Sequence, residues 1–289
     1  MQAKIIKIEA DLFTCEGIDN SIYKANASKL FKLKSLDFKV GDNVELNLLE
    51  NNKAYITKRY DRRNDLVRPQ VANIDKAIIC VSVLEPDLNL NLLDKFLCIL
   101  EYSNIESVIF FTKYDLLKET KDIDSILKYY QSIGYECYKT TTKNNDIIKY
   151  IYKIVDNKVV VITGQSGVGK SSLINLVDPS LNLKTDEISI SLNRGKHTTR
   201  FSQLIKLGNG WIIDTPGFGN IDLYDLDNQT LSHQFREFFE ASKKCKYKGC
   251  LHLDEPNCYV KELVNKGVIK KSRYDSYKQF IKLNSERRK

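Results

Sequence analysis

Gly164, Gly169, Lys170 and Ser171 stand in the spacing G-x-x-x-x-G-K-[ST], directly after the apolar run Val159-Val160-Val161-Ile162. Glycines at these positions let backbone N–H groups wrap a phosphate. The lysine reaches the terminal phosphates, and the serine hydroxyl ligates Mg²⁺. With Gln165, Ser166, Gly167 and Val168 completing the loop and Ser172 opening a helix, residues 164–172 are expected to bind a nucleoside triphosphate.

Two further segments carry nucleotide chemistry. Trp211-Ile212-Ile213-Asp214-Thr215-Pro216-Gly217 is an apolar strand ending in D-x-x-G. Such an aspartate holds Mg²⁺ through water, and the glycine amide senses the γ-phosphate. Upstream of the phosphate loop, residues 108–111 form an apolar run that leads into Thr112-Lys113-Tyr114-Asp115. The usual form of this box is N-K-x-D, whose aspartate accepts hydrogen bonds from N1–H and the 2-amino group of guanine. Adenine presents no such pair, so Asp115 selects GTP over ATP. Thr112 departs from the usual asparagine; its hydroxyl can still bond locally, and some loss of loop rigidity or of affinity is expected. Thr140-Thr141-Thr142 stands where a second base-contacting loop belongs.

A third constellation, Cys245, Cys250, His252 and Cys258, reads C-x4-C-x-H-x5-C. Three thiolates and one imidazole suit tetrahedral Zn²⁺, and four protein ligands leave no open position for catalysis, so the expected role is structural. Cys15, Cys80, Cys98 and Cys137 fall in apolar or strand contexts and are expected to be buried small hydrophobes. His233 is expected to be a surface or packing residue.

Charge is unevenly placed along the chain. The 289 residues carry a net charge of +8. Residues 1–68 have 13 basic and 10 acidic side chains, residues 69–242 have 18 and 22, and residues 243–289 have 14 and 5. The last segment interleaves Lys243, Lys244, Lys246, Lys248, Lys261, Lys266, Lys270, Lys271, Arg273, Arg287, Arg288 and Lys289 with Tyr247, Tyr259, Tyr274 and Tyr277. Basic groups neutralise phosphates and aromatics stack on unpaired bases, so structured RNA is the expected partner, a solvated helical face being the alternative.

These groups must be held by defined elements. Short alternating runs at 4–8, 11–15, 21–24, 43–49 and 54–58 predict five strands, which suits an OB-type barrel, though a small sandwich or an SH3-like barrel fits the same runs. Lys58, Arg59, Arg62, Arg63 and Arg68 follow as a basic linker that could touch phosphates. From residue 70, apolar runs at 76–84, 107–111, 136–139, 158–163 and 210–214 alternate with helical spacing at 92–102, 122–133, 145–155 and 171–177. That pattern predicts a mostly parallel sheet covered by helices. Beyond residue 222 the pattern is helical. No run approaches the ~18 apolar residues of a membrane span, no signal-peptide core is present, and the odd cysteine count argues against a disulfide scaffold, so a cytoplasmic protein is expected.

The base-reading boxes precede the phosphate loop, the reverse of Ras-like order. With its flanking modules, this resembles the circularly permuted GTPases of the RsgA (YjeQ/YloQ) family, which depend on the small ribosomal subunit. The resemblance covers nearly the whole chain, including Arg68-Pro69 before Ala72-Asn73-Ile74-Asp75, the permuted boxes, Arg194-Gly195-Lys196-His197-Thr198-Thr199 and the Cys/His cluster. It implies a multi-domain fold: an N-terminal OB-type β-barrel with its linker (1–68), a central circularly permuted α/β P-loop GTPase domain (69–222) and a C-terminal zinc-bound helical domain (223–289). It also implies that Thr198 or Thr199 meets Mg²⁺ and the γ-phosphate together with Ser171, Asp214 and Gly217. Phe218 stands where a water-orienting glutamine would follow Gly217, so intrinsic hydrolysis is expected to be slow and His197 becomes a candidate catalytic group. The implied activity is GTP hydrolysis to GDP in late maturation of the 30S subunit by a monomer that binds 16S rRNA in its GTP state and leaves after hydrolysis. Two other classes fit the motifs: an RNA-binding scaffold with a relic nucleotide site, and a P-loop ATPase or kinase.

Overall fold

The computed structural model describes residues 1–27, 37–67, 69–141, 146–181, 203–214, 223 and 226–287. Five strands come first: β1 (Gln2–Glu9), β2 (Leu12–Gly17), β3 (Ile22–Ala27), β4 (Asn43–Leu48) and β5 (Lys53–Arg59). They close into a barrel in the order β1-β2-β3-β5-β4, with β3 and β5 parallel and the other pairs antiparallel. The parallel β3–β5 closure is the OB arrangement and separates the chain from the alternative small β folds. Period-two alternation turns Ala3, Ile5, Phe13, Cys15, Tyr23, Ala25, Val44, Leu46, Ala54 and Ile56 into a common core.

After the barrel, β6 (Asp65–Leu66) and β7 (Val71–Ala72) form a short hairpin within the stretch expected to be a linker. Two of its arginines, Arg62 and Arg63, are held internally. Arg62 grips the fully buried Asp42 carboxylate with Nε and Nη2 at 2.7 and 2.9 Å, and Arg63 donates to the carbonyls of Asn73 and Ile74 and to Asp75. Asn64 pairs both edges of the Ile74 peptide, accepting from its N–H and donating to its carbonyl, each at 2.8 Å. Gly41 takes φ +92°, and a Cβ there would lie 2.1 Å from the Ala72 carbonyl, so only glycine lets the hairpin close onto the barrel. These residues are a joint, and Arg62 and Arg63 are spoken for.

The α/β part follows as β8 (Lys76–Ser82), α1 (Leu90–Tyr102), β9 (Glu106–Thr112), α2 (Lys121–Ser132), β10 (Glu136–Lys139), α3 (Asp146–Val155), β11 (Val159–Thr163), α4 (Lys170–Val177), β12 (Leu204–Leu207) and β13 (Gly210–Asp214). The sheet order is β10-β9-β8-β11-β13-β12. The pairs β10–β9 and β11–β13 are parallel, and β12 is an antiparallel edge strand joined to β13 through Gly208-Asn209. The C-terminal helices are α5 (Asn228–His233), α6 (Arg236–Ser242), α7 (Tyr259–Asn265) and α8 (Lys271–Arg287). No helix among the described residues is long and apolar enough to cross a membrane.

The chain divides into two compact units, Met1–Ile78 with Thr142–Phe218, and Ile79–Thr141 with Gly219–Lys289. In the first, Asp75 accepts from the Val159 N–H at 2.8 Å while its own N–H donates to the Val159 carbonyl, so the joint is tied to the start of β11. In the second, α1, α6 and α8 share one buried charge cluster. Arg273 is fully buried, with Nη1 2.7 Å from Asp94 and Nε 2.8 Å from Glu237, and the Tyr130 hydroxyl also donates to Asp94 at 2.6 Å.

Removing the Asn64 amide strands the buried Ile74 N–H and leaves the Ile74 carbonyl with Arg63 as its donor. Asn64→Ala is therefore expected to destabilise the first unit by about 1–3 kcal/mol. A urea titration followed by the fluorescence of Trp211, the single tryptophan, should show a lower midpoint; an unshifted midpoint contradicts this role.

Candidate nucleotide and metal sites

The phosphate loop leaves β11, whose five residues are all buried, and ends in α4. Gly164, Gly167 and Gly169 take φ values of 143°, 77° and 93°, which carry the backbone around a tight turn that a side chain would strain. Val168 is buried and anchors the loop, whereas Gln165, Ser166 and Gly167 are exposed. Lys170 arches back over the loop, its ammonium donating to the carbonyls of Gly164 (2.8 Å) and Gln165 (2.7 Å). Ser171 and Ser172 occupy the first turn of α4, half-buried, and Asp214 is the last residue of β13.

In the other unit, β9 delivers the Thr112–Asp115 turn, the candidate guanine box. Thr112 is buried and donates its hydroxyl to the Val81 carbonyl at 3.2 Å, so the threonine secures the end of β9 against β8. Lys113 adopts the left-handed conformation at φ 58°, turning the chain sharply, and its ammonium donates to the Glu85 carbonyl. Tyr114 and Asp115 lie in a 3₁₀ turn, with the Asp115 side chain on the exposed surface. Thr140 is buried directly beneath, its N–H bonded to Phe111 and its carbonyl accepting from the Tyr114 N–H. Thr142, the 194–200 segment with His197, Thr198 and Thr199, and Gly217 and Phe218 lie outside the described residues, as do Arg68, Arg288 and Lys289.

The Cys/His cluster fits a zinc ion. The donor atoms of Cys245, Cys250, His252 and Cys258 all lie within 4.8 Å of one another. Cys245 Sγ is 3.9 Å from Cys258 Sγ, and His252 Nδ1 is 3.7 and 3.3 Å from these two sulfurs. Edges of about 3.6–3.8 Å are what tetrahedral Zn–S and Zn–N bonds of ~2.3 and ~2.0 Å require. Burial lowers the His252 pKa to about 4, which keeps the imidazole neutral with a lone pair to give, and Nδ1 is the nitrogen turned to the sulfurs. Burial also pushes the Cys250 thiol up to about 12, a reluctance to ionise that a cation must overcome.

The loop bearing these ligands is fixed by groups that residue spacing does not single out. Glu255 accepts from the N–H groups of Leu251 (2.6 Å) and Leu253 (2.8 Å). Tyr274 and Tyr277 of α8 donate their hydroxyls to the carbonyls of His252 and Leu251, and the Lys261 ammonium donates to the Leu253 carbonyl. Several residues expected to face RNA are therefore structural: Arg273 and Tyr277 are buried, and Tyr274 and Lys261 hold the metal loop. Lys243, Lys244, Lys246, Lys248, Lys266, Lys270 and Lys271 remain exposed, with Tyr247 among them. The four remaining cysteines are buried, and His233 is on the surface.

Glu255→Ala should free the ligand loop and weaken zinc binding roughly tenfold, read by competition with a chromophoric chelator. Undiminished affinity would show that the loop needs no such support.

Comparison with known proteins agrees with this geometry. Residues 59–224 match the family model described as RsgA GTPase. The chain is 39% identical over 289 residues to the small ribosomal subunit biogenesis GTPase RsgA of Bacillus cereus, covering 99% of this chain and 98% of that protein. Against the protein of that name, RsgA 2, from Oceanobacillus iheyensis, it is 42% identical over 282 residues, 97% of this chain and 96% of the relative. Among solved structures, YjeQ from Thermotoga maritima superposes with a TM-score of 0.87 at 32% identity, covering 98% of both chains. YloQ, described as a circularly permuted GTPase, gives 0.84 at 32% identity, covering 99% of this chain and 95% of that one. With barrel, permuted boxes and Cys/His cluster all in place, the chain belongs to the RsgA GTPase family.

Proposed function

We propose that the chain hydrolyses GTP in late maturation of the 30S ribosomal subunit, binding 16S rRNA in its GTP state and leaving after hydrolysis. The observation that carries this reading is the order of the boxes on their strands: the T-K-x-D turn after β9 comes before the phosphate loop after β11. Asp115 would read guanine, with Lys113 beside it. Residues 164–172 would hold the phosphates, Lys170 exchanging the loop carbonyls for phosphate oxygens. Ser171, Asp214 and Thr198 or Thr199 would serve the Mg²⁺ that shields the developing charge, and Gly217 would report the γ-phosphate. His197 would help position the water that no glutamine orients. Zinc at Cys245, Cys250, His252 and Cys258 would be structural, and the exposed lysines around Tyr247 would meet rRNA phosphates. The domain division at 68/69 and 222/223, a cytoplasmic location and a monomeric state belong to the same reading.

The test is the rate of GTP hydrolysis with and without small ribosomal subunits, with ATP as control. A slow basal rate, a large stimulation by subunits and no ATP turnover are expected. Absence of GTP turnover would favour a scaffold, and ATP turnover would favour a kinase or ATPase. His197→Ala should lower the stimulated rate while leaving GTP affinity intact; an undiminished stimulated rate removes His197 from catalysis.

A further inference from the structure

Around the base-reading turn, three side chains from three elements converge in a way the motif does not require. The Tyr114 hydroxyl donates to Asp124 Oδ1 at 2.7 Å, and the Lys139 ammonium reaches the same oxygen at 2.5 Å. That ammonium also lies 4.6 Å from the centre of the Tyr114 ring, within cation–π range. Tyr114 precedes Asp115, Asp124 is in the first turn of α2, and Lys139 ends β10 immediately before Thr140. The Tyr114 N–H is bonded to the Thr140 carbonyl as well. The residue next to Asp115 is thus held at its amide, its ring and its hydroxyl.

We propose that Tyr114, Asp124 and Lys139 are positioning residues that clamp the turn so that the Asp115 carboxylate meets N1–H and the 2-amino group of guanine together. This rests on the reading of residues 112–115 as the guanine box. Two parallel hydrogen bonds require the carboxylate plane to be oriented, whereas one bond tolerates rotation, so a clamp matters most for the two-point contact. Thr112 donates its hydroxyl to the Val81 carbonyl, so it takes no part in the clamp's hydrogen bond. The Lys139 and Tyr114 hydrogen bonds hold the Asp124 pKa down at about 2, so the carboxylate is ionised, and the clamp intact, across the range in which proteins work. The Lys139–Asp124 pair is partly exposed, at 44% and 29%, and an exposed pair contributes little to global stability. Its effect is orientational.

Equilibrium binding of GDP, IDP and XDP to the full chain, by calorimetry, tests this. IDP lacks the 2-amino group, so the ratio of GDP to IDP affinity reads the two-point contact alone, whereas a general loss of structure lowers both. Tyr114→Phe and Asp124→Ala should each shrink that ratio by about threefold to tenfold, the double variant doing little more than the stronger single one because they share one hydrogen bond. Lys139→Gln should act in the same direction, more weakly. Tyr114→Phe keeps the ring and removes a single hydroxyl, so it decides the matter if the Asp124 variant melts early. Asp115→Asn is the companion measurement: it should turn preference from GDP to XDP, whose 2-oxo group accepts where the guanine amino group donates. If it does not, the guanine-box reading fails. If it does, while Tyr114→Phe and Lys139→Gln leave the GDP-to-IDP ratio unchanged, the clamp alone is refuted.

Discussion

A strand buried on both faces cannot slide along its neighbours without moving every side chain out of its packing, and the chemistry of this chain hangs from such strands. All five residues of β11 and six of the seven in β9 are buried. Their registers are tied, β10 to β9 from Glu136 opposite Val108 to Lys139 opposite Phe111, and β11 to β13 from Val159 opposite Trp211 to Ile162 opposite Asp214. The Thr112–Asp115 turn, the Thr140 loop, the glycine-rich loop at 164–169 and the D-T-P-G segment each follow in sequence the carboxyl end of one of these strands, where open α/β sheets place their ligand-binding loops. Circular permutation changes which loops are joined by chain, and leaves this constraint untouched.

The permutation shows in the second compact unit, where chain before and after the phosphate loop folds together. Cys98 of α1 belongs to the same core as Leu231, Phe235, Phe238, Tyr277 and Phe280 of the C-terminal segment. Arg273 fixes that association with two carboxylates, Asp94 from α1 and Glu237 from α6. A guanidinium removed from water this completely is stable only while both partners are present, and losing one partner of such a group typically costs about 3–5 kcal/mol. The segment that carries the Cys/His cluster is therefore packed on the helices that flank β9, and its charge is in part internal.

Periodicity and motif spacing carried most of the architecture, because both are local. Barrel strands, sheet strands and their helices lie within a few residues of where alternation and helical spacing put them, and the Gly164–Lys170 and Cys245–Cys258 spacings point to the loops that hold those residues. What sequence left out depends on partners far apart in the chain. Arg273 looks like one more cation in a basic tail until Asp94, 179 residues away, is seen beside it. Arg62 and Arg63 read as a phosphate-facing run, yet Asp42, Asn73 and Asp75 take them up. β12 was legible in principle, since the mostly apolar run Leu204-Ile205-Lys206-Leu207 is followed by the turn residues Gly208-Asn209-Gly210. Tyr114, Asp124 and Lys139 carry no motif beyond the variable position of the base box, so their convergence is visible only in three dimensions.

The candidate metal site answers a difficulty set by helix length. Helices α5, α6 and α7 have six, seven and seven residues, well below the ~12–15 at which an isolated helix becomes even marginal in water. Between α6 and α7, residues 243–258 run without regular structure, longer than most connections in a compact domain. This stretch is also densely lysine-bearing, and like charges on a loose loop would spread it apart. Drawing Cys245, Cys250, His252 and Cys258 together fixes the stretch near both ends and in its middle. Glu255, Tyr274 and Tyr277 then take the backbone groups that no helix or strand satisfies. A loop cross-linked in this way would display Lys244, Lys246, Tyr247 and Lys248 in one arrangement, whereas a loose one would present only net charge.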